Sequence, residues 1–140
     1  MKFICMTIHQ ILKEKKLKVT RSRVAILRIF TQHKTPLDIQ MIIKYLGQAN
    51  IQADTVTVYR TIQSFMASHL VRQIEFQEGK FRYELTSLPH HHHAVCTNCG
   101  KIEDVTACGL LDAEQRIKQS LHFTVQSHTA DFYGLCAACS

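Results

Sequence analysis

Apolar residues in the first half of the chain recur at helical intervals. Ile8, Ile11, Leu12 and Leu17 predict a short first helix, and Thr20 stands as the N-cap of a second carrying Val24, Leu27 and Ile29. A break at Lys34-Thr35-Pro36 precedes Asp38, which caps a third run, Ile39, Ile42, Ile43 and Leu46, closed by Gly47 and Asn50. Asp54 caps a fourth helix. There Val58, Ile62 and Phe65 point inward at i, i+4 and i+7, leaving Arg60, Thr61 and Ser64 on an exposed, hydrogen-bonding face.

The period then changes from helical to alternating. Val71, Gln73 and Glu75 interleave with Arg72, Ile74 and Phe76; Glu78-Gly79 turns the chain into Phe81-Arg82-Tyr83-Glu84-Leu85. Helices followed by a hairpin make a winged helix, whose last helix usually enters the major groove of DNA. Beyond it the pattern predicts a strand through His92–Cys96, a second around Lys101–Val105, a helix over Leu110–Leu121 and a long strand Phe123–Tyr133. The expected class is α+β, with a winged helix-turn-helix domain (1–86) followed by a small α/β dimerisation domain (87–140).

Charge separates these two parts. Residues 1–80 hold 13 Lys/Arg and 5 Asp/Glu, whereas residues 81–140 hold 4 and 6. A basic front half suits phosphate binding by counterion release, and a solvated surface is the ordinary alternative. The apolar start Phe3–Ile8 is too short for an export signal or a membrane span, and later apolar stretches are broken by charge. A cytoplasmic protein without a membrane partner is the expectation, and in that compartment six cysteines favour metal binding over disulfides.

The strongest chemical signal is Cys96-x-x-Cys99 with Cys136-x-x-Cys139. Each pair offers two sulfurs on one tight turn. Four thiolates form a closed tetrahedral Zn(II) site of the structural kind, with disulfide pairing as the alternative. Cys5 and Cys108 lack a paired spacing and read as ordinary thiols. Ahead of Cys96 runs His90-His91-His92-His93. On a strand His91 and His93 share one face and His90 and His92 the other, so the run serves two sites, or is an idle polar run. Glu84, Asp104 and His128 are available to complete mixed nitrogen and oxygen shells.

On the nucleic-acid side, Thr55 and Thr57 open the fourth helix, where phosphates are in reach, and Tyr59 and Arg60 lie deeper, at base edges. Arg21 and Arg23 are candidates for backbone phosphates.

Leu17-Lys18-Val19-Thr20, Thr57-Val58-Tyr59-Arg60, Tyr83-Glu84-Leu85-Thr86, the histidine run with Cys96-Thr97-Asn98-Cys99-Gly100-Lys101, and Tyr133-Gly134-Leu135-Cys136-Ala137-Ala138-Cys139 together resemble the ferric uptake regulator family in order and spacing. The resemblance implies a homodimeric, metal-dependent repressor of metal-homeostasis genes that binds palindromic, A/T-rich double-stranded operators and is not an enzyme. It makes Cys96, Cys99, Cys136 and Cys139 the structural zinc ligands. It makes Glu84, His91, His93 and Asp104 the regulatory site, taking Fe(II), Zn(II) or Mn(II), and His90, His92 and His128 an additional site. Lys18 matches a family residue that enters the minor groove.

The chain departs from the family pattern at several positions. Pro36 stands where a histidine ligand is usual, leaving that ligand missing or replaced by His33 or Glu75; Leu111 stands where the additional site has a helical carboxylate. Ser22 replaces a usual proline and Lys16 a usual glycine. The carboxylates of the regulatory set favour iron over zinc, with a zinc uptake regulator or a peroxide sensor of the same family as alternatives. Peroxide-sensing relatives tend to carry Asp at Glu84. A zinc enzyme or a metal-storage protein is a distant alternative, since no His-Glu-x-x-His motif is present.

Overall fold

The computed structural model describes residues 6–140; Cys5 lies outside them. The chain divides into two compact units, the first ending at Leu88 and the second spanning Pro89–Ser140.

The first unit contains α1 (Ile8–Glu14), α2 (Arg21–Gln32), α3 (Ile39–Gln48), α4 (Thr55–Ala67) and the hairpin of β1 (Val71–Glu75) and β2 (Phe81–Leu85). Each helix starts where a side chain satisfies an otherwise unpaired backbone N–H. Thr7 forms a capping box with Gln10, while Thr20, Asp38 and Asp54 accept from the N–H groups of Arg23, Met41 and Thr57. The inward faces meet in one core that includes Leu12, Ile26, Phe30, Ile42, Leu46, Val58, Ile62 and Phe65. Burying each such side chain contributes roughly 1.5–3 kcal/mol.

Several details differ from the sequence expectation. Thr61 is buried, because α4 packs a wider stripe than its large apolar residues define. Leu17 follows α1 rather than extending it, after Lys16 takes a left-handed conformation (φ 56°). That conformation favours glycine, the family's usual residue there. Gly47 lies inside α3, and Asn50 (φ 54°) makes the left-handed turn beyond it.

The hairpin pairs Val71 with Leu85 and Glu75 with Phe81. Leu37 adds a bridge, exchanging backbone hydrogen bonds of 2.8 and 2.9 Å with Tyr83. Ion pairs fasten the wing to the segment before α3 and brace its turn. Lys80 Nζ donates to Asp38 Oδ2 at 2.6 Å, and the buried Arg82 donates to both Glu78 oxygens (2.8 and 3.1 Å) and to the Pro36 carbonyl (3.4 Å). Asp38 therefore caps α3 and anchors the wing at once.

The second unit is a three-stranded sheet of β3 (His92–Cys96), β4 (Ile102–Val105) and β5 (Asp131–Gly134), ordered β4-β3-β5, with α5 (Leu111–Leu121) between the last two strands in sequence. β3 pairs antiparallel with β4 and parallel with β5. The long strand expected over Phe123–Tyr133 is shorter: residues 123–130 have no ladder partner among the described residues. α5 buries none of its residues, and Leu111, Ile117 and Leu121 are exposed. No helix among the described residues is long and apolar enough to cross a membrane.

Burial alone would push the Asp38 carboxyl up, but its hydrogen bonds from Lys80 and the Met41 N–H and the charges of Lys80 and Arg82 bring it below the ordinary value. Glu78 is likewise lowered, chiefly by Arg82. Groups lowered on folding stabilise the fold above their unfolded values and lose that contribution as pH falls through the folded ones. The thermal midpoint is therefore expected to drop as pH falls below about 4. Asp38→Ala should cost about 0.5–2 kcal/mol at neutral pH from the cap alone. Thermal unfolding against pH measures both; an unchanged midpoint for Asp38→Ala contradicts the anchoring role.

Candidate metal centres and nucleic-acid face

The two cysteine pairs lie 37 residues apart, and the parallel β3–β5 ladder removes that separation. Cys96 is in register with Gly134, and Thr97 N–H donates to the Gly134 carbonyl at 2.8 Å, so the turn at Cys136 emerges beside the turn at Cys96. The first turn is closed by Gly100 N–H on the Cys96 carbonyl (2.9 Å), with Gly100 at φ 72°, a conformation glycine adopts without steric cost. The second is closed by Cys139 N–H on the Cys136 carbonyl (2.9 Å).

All four sulfurs lie within 4.8 Å of one another. Cys99 and Cys136 sulfurs are 3.7 Å apart, far beyond a disulfide bond and close to the edge of about 3.8 Å in a tetrahedron of thiolates around zinc. Hydrogen bonds from the backbone of Cys99 and Cys136 hold the Cys96 thiol down to about 6. Cys139 behaves oppositely: Asn98 favours its thiolate, but the sulfurs of Cys136 and Cys99 push it up to about 11. Four thiolates this close ionise together only when a cation shares their charge. The donor set fits a closed, structural metal.

A second cluster forms at the other end of the same sheet. His90, His92 and His128 converge, with Nε2–Nε2 distances of 2.9 Å (His90–His128) and 3.3 Å (His92–His128). Cys108 joins them, its sulfur 3.3 Å from His92 Nε2 and 3.2 Å from His128 Nε2. Burial, with the neighbouring His90 and His128, pulls the His92 imidazole below its ordinary value and favours the neutral ring. Cys108, expected to be an ordinary thiol, is instead a cluster member. Its signal in the sequence is positional: it lies three residues beyond β4, as His128 lies three before β5, and the ladders bring both strand ends beside His92.

On the other face of β3, His91 and His93 meet edge to face, their ring centroids 4.8 Å apart. Asp104 is opposite His93 in register but exposed, whereas Asp131 places an oxygen 3.4 Å from His93 Nδ1. Glu84 is buried in the wing and accepts from Arg72 Nε at 2.6 Å. The sequence reading singled out neither Asp131 nor Arg72.

On α4, Thr55, Val56, Tyr59 and Arg60 face outward. Val56 and Tyr59 are 55% and 49% exposed, an unusual placement for large apolar side chains unless they meet a partner. Lys18 and Arg21 are exposed, and Thr57 is half-buried. Arg23 is less free than expected: it donates to the Lys18 carbonyl (3.0 Å) and to Ser64 Oγ (3.5 Å), joining the Lys18 loop to α4.

The model of the ferric uptake regulator family matches residues 14–133. The chain belongs to that family. Its members are transcription regulators rather than enzymes. The ferric uptake regulation protein of Legionella pneumophila is 31% identical, covering 93% of this chain and 96% of its own length. Among solved structures, the Vibrio cholerae ferric uptake regulator superposes with a TM-score of 0.82 at 28% identity, over 91% of this chain and 98% of that one. The Francisella tularensis ferric uptake regulator with iron gives 0.78 at 25% identity, over 88% and 94%.

Within the ferric uptake regulator family pattern, the departures now have local structures. Pro36 is buried with its carbonyl held by Arg82, and His33, the C-cap of α2, stacks on Tyr45 with centroids 4.2 Å apart. Glu75 is exposed at the end of β1. Leu111 is exposed, and one helical turn later Glu114 Oε1 lies 2.5 Å from His128 Nδ1. The i, i+3 spacing from Leu111 is the signal that could have found Glu114.

Cys96→Ser or Cys136→Ser is expected to lose tightly held metal and destabilise the second unit, because metal binding at such a site is folding free energy. Metal content and thermal unfolding check it, and an undiminished metal-to-protein ratio contradicts it. Tyr59→Ala is expected to cost about 1–3 kcal/mol of discrimination between operator and random duplex. Competition binding measures it, and equal discrimination by mutant and wild type removes α4 as the reader.

Proposed function

We propose that this protein is a cytoplasmic, homodimeric repressor in which residues 1–86 bind DNA and residues 87–140 dimerise and bind metal. The observation that carries the DNA reading is the outward row Thr55, Val56, Tyr59 and Arg60 on a helix whose opposite face is wholly buried. Thr55, Thr57, Arg21 and Lys18 contact the sugar-phosphate and minor-groove side of an A/T-rich palindrome, and Tyr59 with Arg60 reads base edges. Arg23 contributes by fixing the Lys18 loop as well as by its charge.

The dimer reading rests on α5 and the segment after it. An amphipathic helix with no buried residue, followed by Phe123 at 59% exposure and a stretch with no ladder partner among the described residues, is half of an interface. A second copy covers it.

The structural metal is zinc, held by Cys96, Cys99, Cys136 and Cys139. The regulatory metal belongs to Glu84, His91, His93 and Asp104, and His90, His92 and His128 form an additional set. Carboxylate donors in the regulatory set favour Fe(II) over Zn(II), in keeping with the iron in the Francisella tularensis relative. Regulatory metal raises operator affinity by shifting the population of the binding-competent form.

Operator binding titrated separately with Fe(II), Zn(II) and Mn(II), at several salt concentrations, tests this reading. Affinity should rise with Fe(II) and fall steeply with salt. His91→Ala and His93→Ala should keep the structural metal and the dimer but lose metal activation. Wild-type activation curves from both mutants overturn the regulatory assignment; activation by Zn(II) alone, with Fe(II) inert, overturns iron.

A further inference from the structure

We propose that Cys108 completes a three-nitrogen, one-sulfur site with His90, His92 and His128, selective for Zn(II) over Fe(II) and Mn(II), and that Glu114 is its positioning residue. The inference rests on the reading of those three histidines as a metal set and goes beyond it in donor, metal class and orientation.

The orientation of the His128 ring is fixed by its neighbour. Glu114 Oε1 lies 2.5 Å from Nδ1, so Nε2 is the atom turned toward the other three residues. It faces His90 Nε2 at 2.9 Å, His92 Nε2 at 3.3 Å and Cys108 Sγ at 3.2 Å. One ring nitrogen, with either a single hydrogen or a single lone pair, cannot make three good hydrogen bonds. A cation at the centre of the four atoms satisfies all of them.

The spacings fit that cation. Nitrogens about 2.0–2.1 Å from zinc stand about 3.3 Å apart in a tetrahedron, and nitrogen and sulfur about 3.5 Å. The N–N separations from His128 to His90 and His92 are 2.9 and 3.3 Å, the Cys108 sulfur is 3.2–3.3 Å from His128 and His92, and all four donor atoms lie within 4.8 Å of one another. The Glu114–His128 pair is the carboxylate–histidine arrangement that orients an imidazole toward zinc.

Cys108 also decides the class of metal. The family pattern expects an oxygen donor at the position of Leu111, whose side chain is apolar and exposed. A thiolate from the loop before α5 supplies the fourth donor instead. Replacing a hard oxygen by a soft sulfur moves the set from iron and manganese towards zinc.

The test uses the full-length protein with zinc retained on the four-cysteine cluster, its retention checked by metal analysis, titrated with Co(II) as a spectroscopic probe and then with Zn(II). Wild type should bind additional Co(II) with tetrahedral d–d bands and a thiolate-to-cobalt charge-transfer band. Cys108→Ser should lose the charge-transfer band while remaining folded, and Glu114→Gln should keep the band but weaken Zn(II) about 10–100-fold. Cys108→Ser should weaken Zn(II) by at least that factor and leave Mn(II) binding unchanged.

If Cys108→Ser gives the wild-type spectrum and Zn(II) affinity while His128→Ala loses the extra ion, the histidine set stands and the Cys108 proposal falls. If wild type and His128→Ala bind the same number of ions, the histidine reading fails as well. Should Cys108→Ser not fold, Cys108→Ala and the thiolate band in Glu114→Gln decide the same question.

Discussion

The parallel pairing of β3 with β5 is the constraint on which the chemistry of the second unit depends. Parallel strands need a crossover between them, and here the crossover contains α5. Because both strands run the same way, the turns that follow them emerge together, which brings Cys96 and Cys99 to Cys136 and Cys139. The segments that precede β3 and β5 come together at the opposite end, with β4, antiparallel, returning Cys108 to that end. Two donor clusters thus follow from one small ladder. Neither is built from one stretch of sequence alone.

The first unit solves a different problem, that of holding one helix face outward while keeping the other dry. Val58, Ile62 and Phe65 are fully buried, which fixes the rotation of α4 about its axis and so directs Thr55, Tyr59 and Arg60 outward. Its N-terminus is set by Asp54 on the Thr57 N–H at 2.7 Å. The wing is held by charge: Asp38 and Glu78 are drawn below their ordinary values by Lys80 and Arg82, so these pairs stay ionised throughout the neutral range. The basic surplus of this half is consequently only partly free: Lys80 is paired with Asp38, and Arg23 is occupied with Lys18 and Ser64.

What was legible in the sequence was whatever local physics decides. The caps Thr20, Asp38 and Asp54, the inward triplet of α4, the β1–β2 hairpin and the Cys-x-x-Cys turns each depend on residues a few positions apart, where spacing alone carries the information. What was illegible depends on tertiary pairing. Cys108 reads as a solitary thiol until β4 is laid against β3, and Glu114 reads as a surface helix carboxylate until His128 is brought to it. The strand expected from Phe123 onward has the right composition, but among the described residues it finds a ladder partner only from Asp131 to Gly134. Alternation predicts the conformation of a segment and not the neighbour that completes it.

The histidine run shows how the two levels join. His92 and His93 are adjacent, both nearly buried, and belong to opposite faces of β3. A slip of one residue in β3 would exchange the two faces and present each set of side chains to the wrong partners. The ladder that prevents this is short, four pairs on each side. Its far end is Cys96, whose sulfur accepts from the Cys136 N–H at 3.4 Å and which lies in the four-sulfur cluster. A metal on those sulfurs would pin the end of β3, and with it the register of every histidine upstream. The thiolate cluster would then do more than hold the unit folded: it would fix which face of the strand each imidazole occupies, and so which donors any second metal meets.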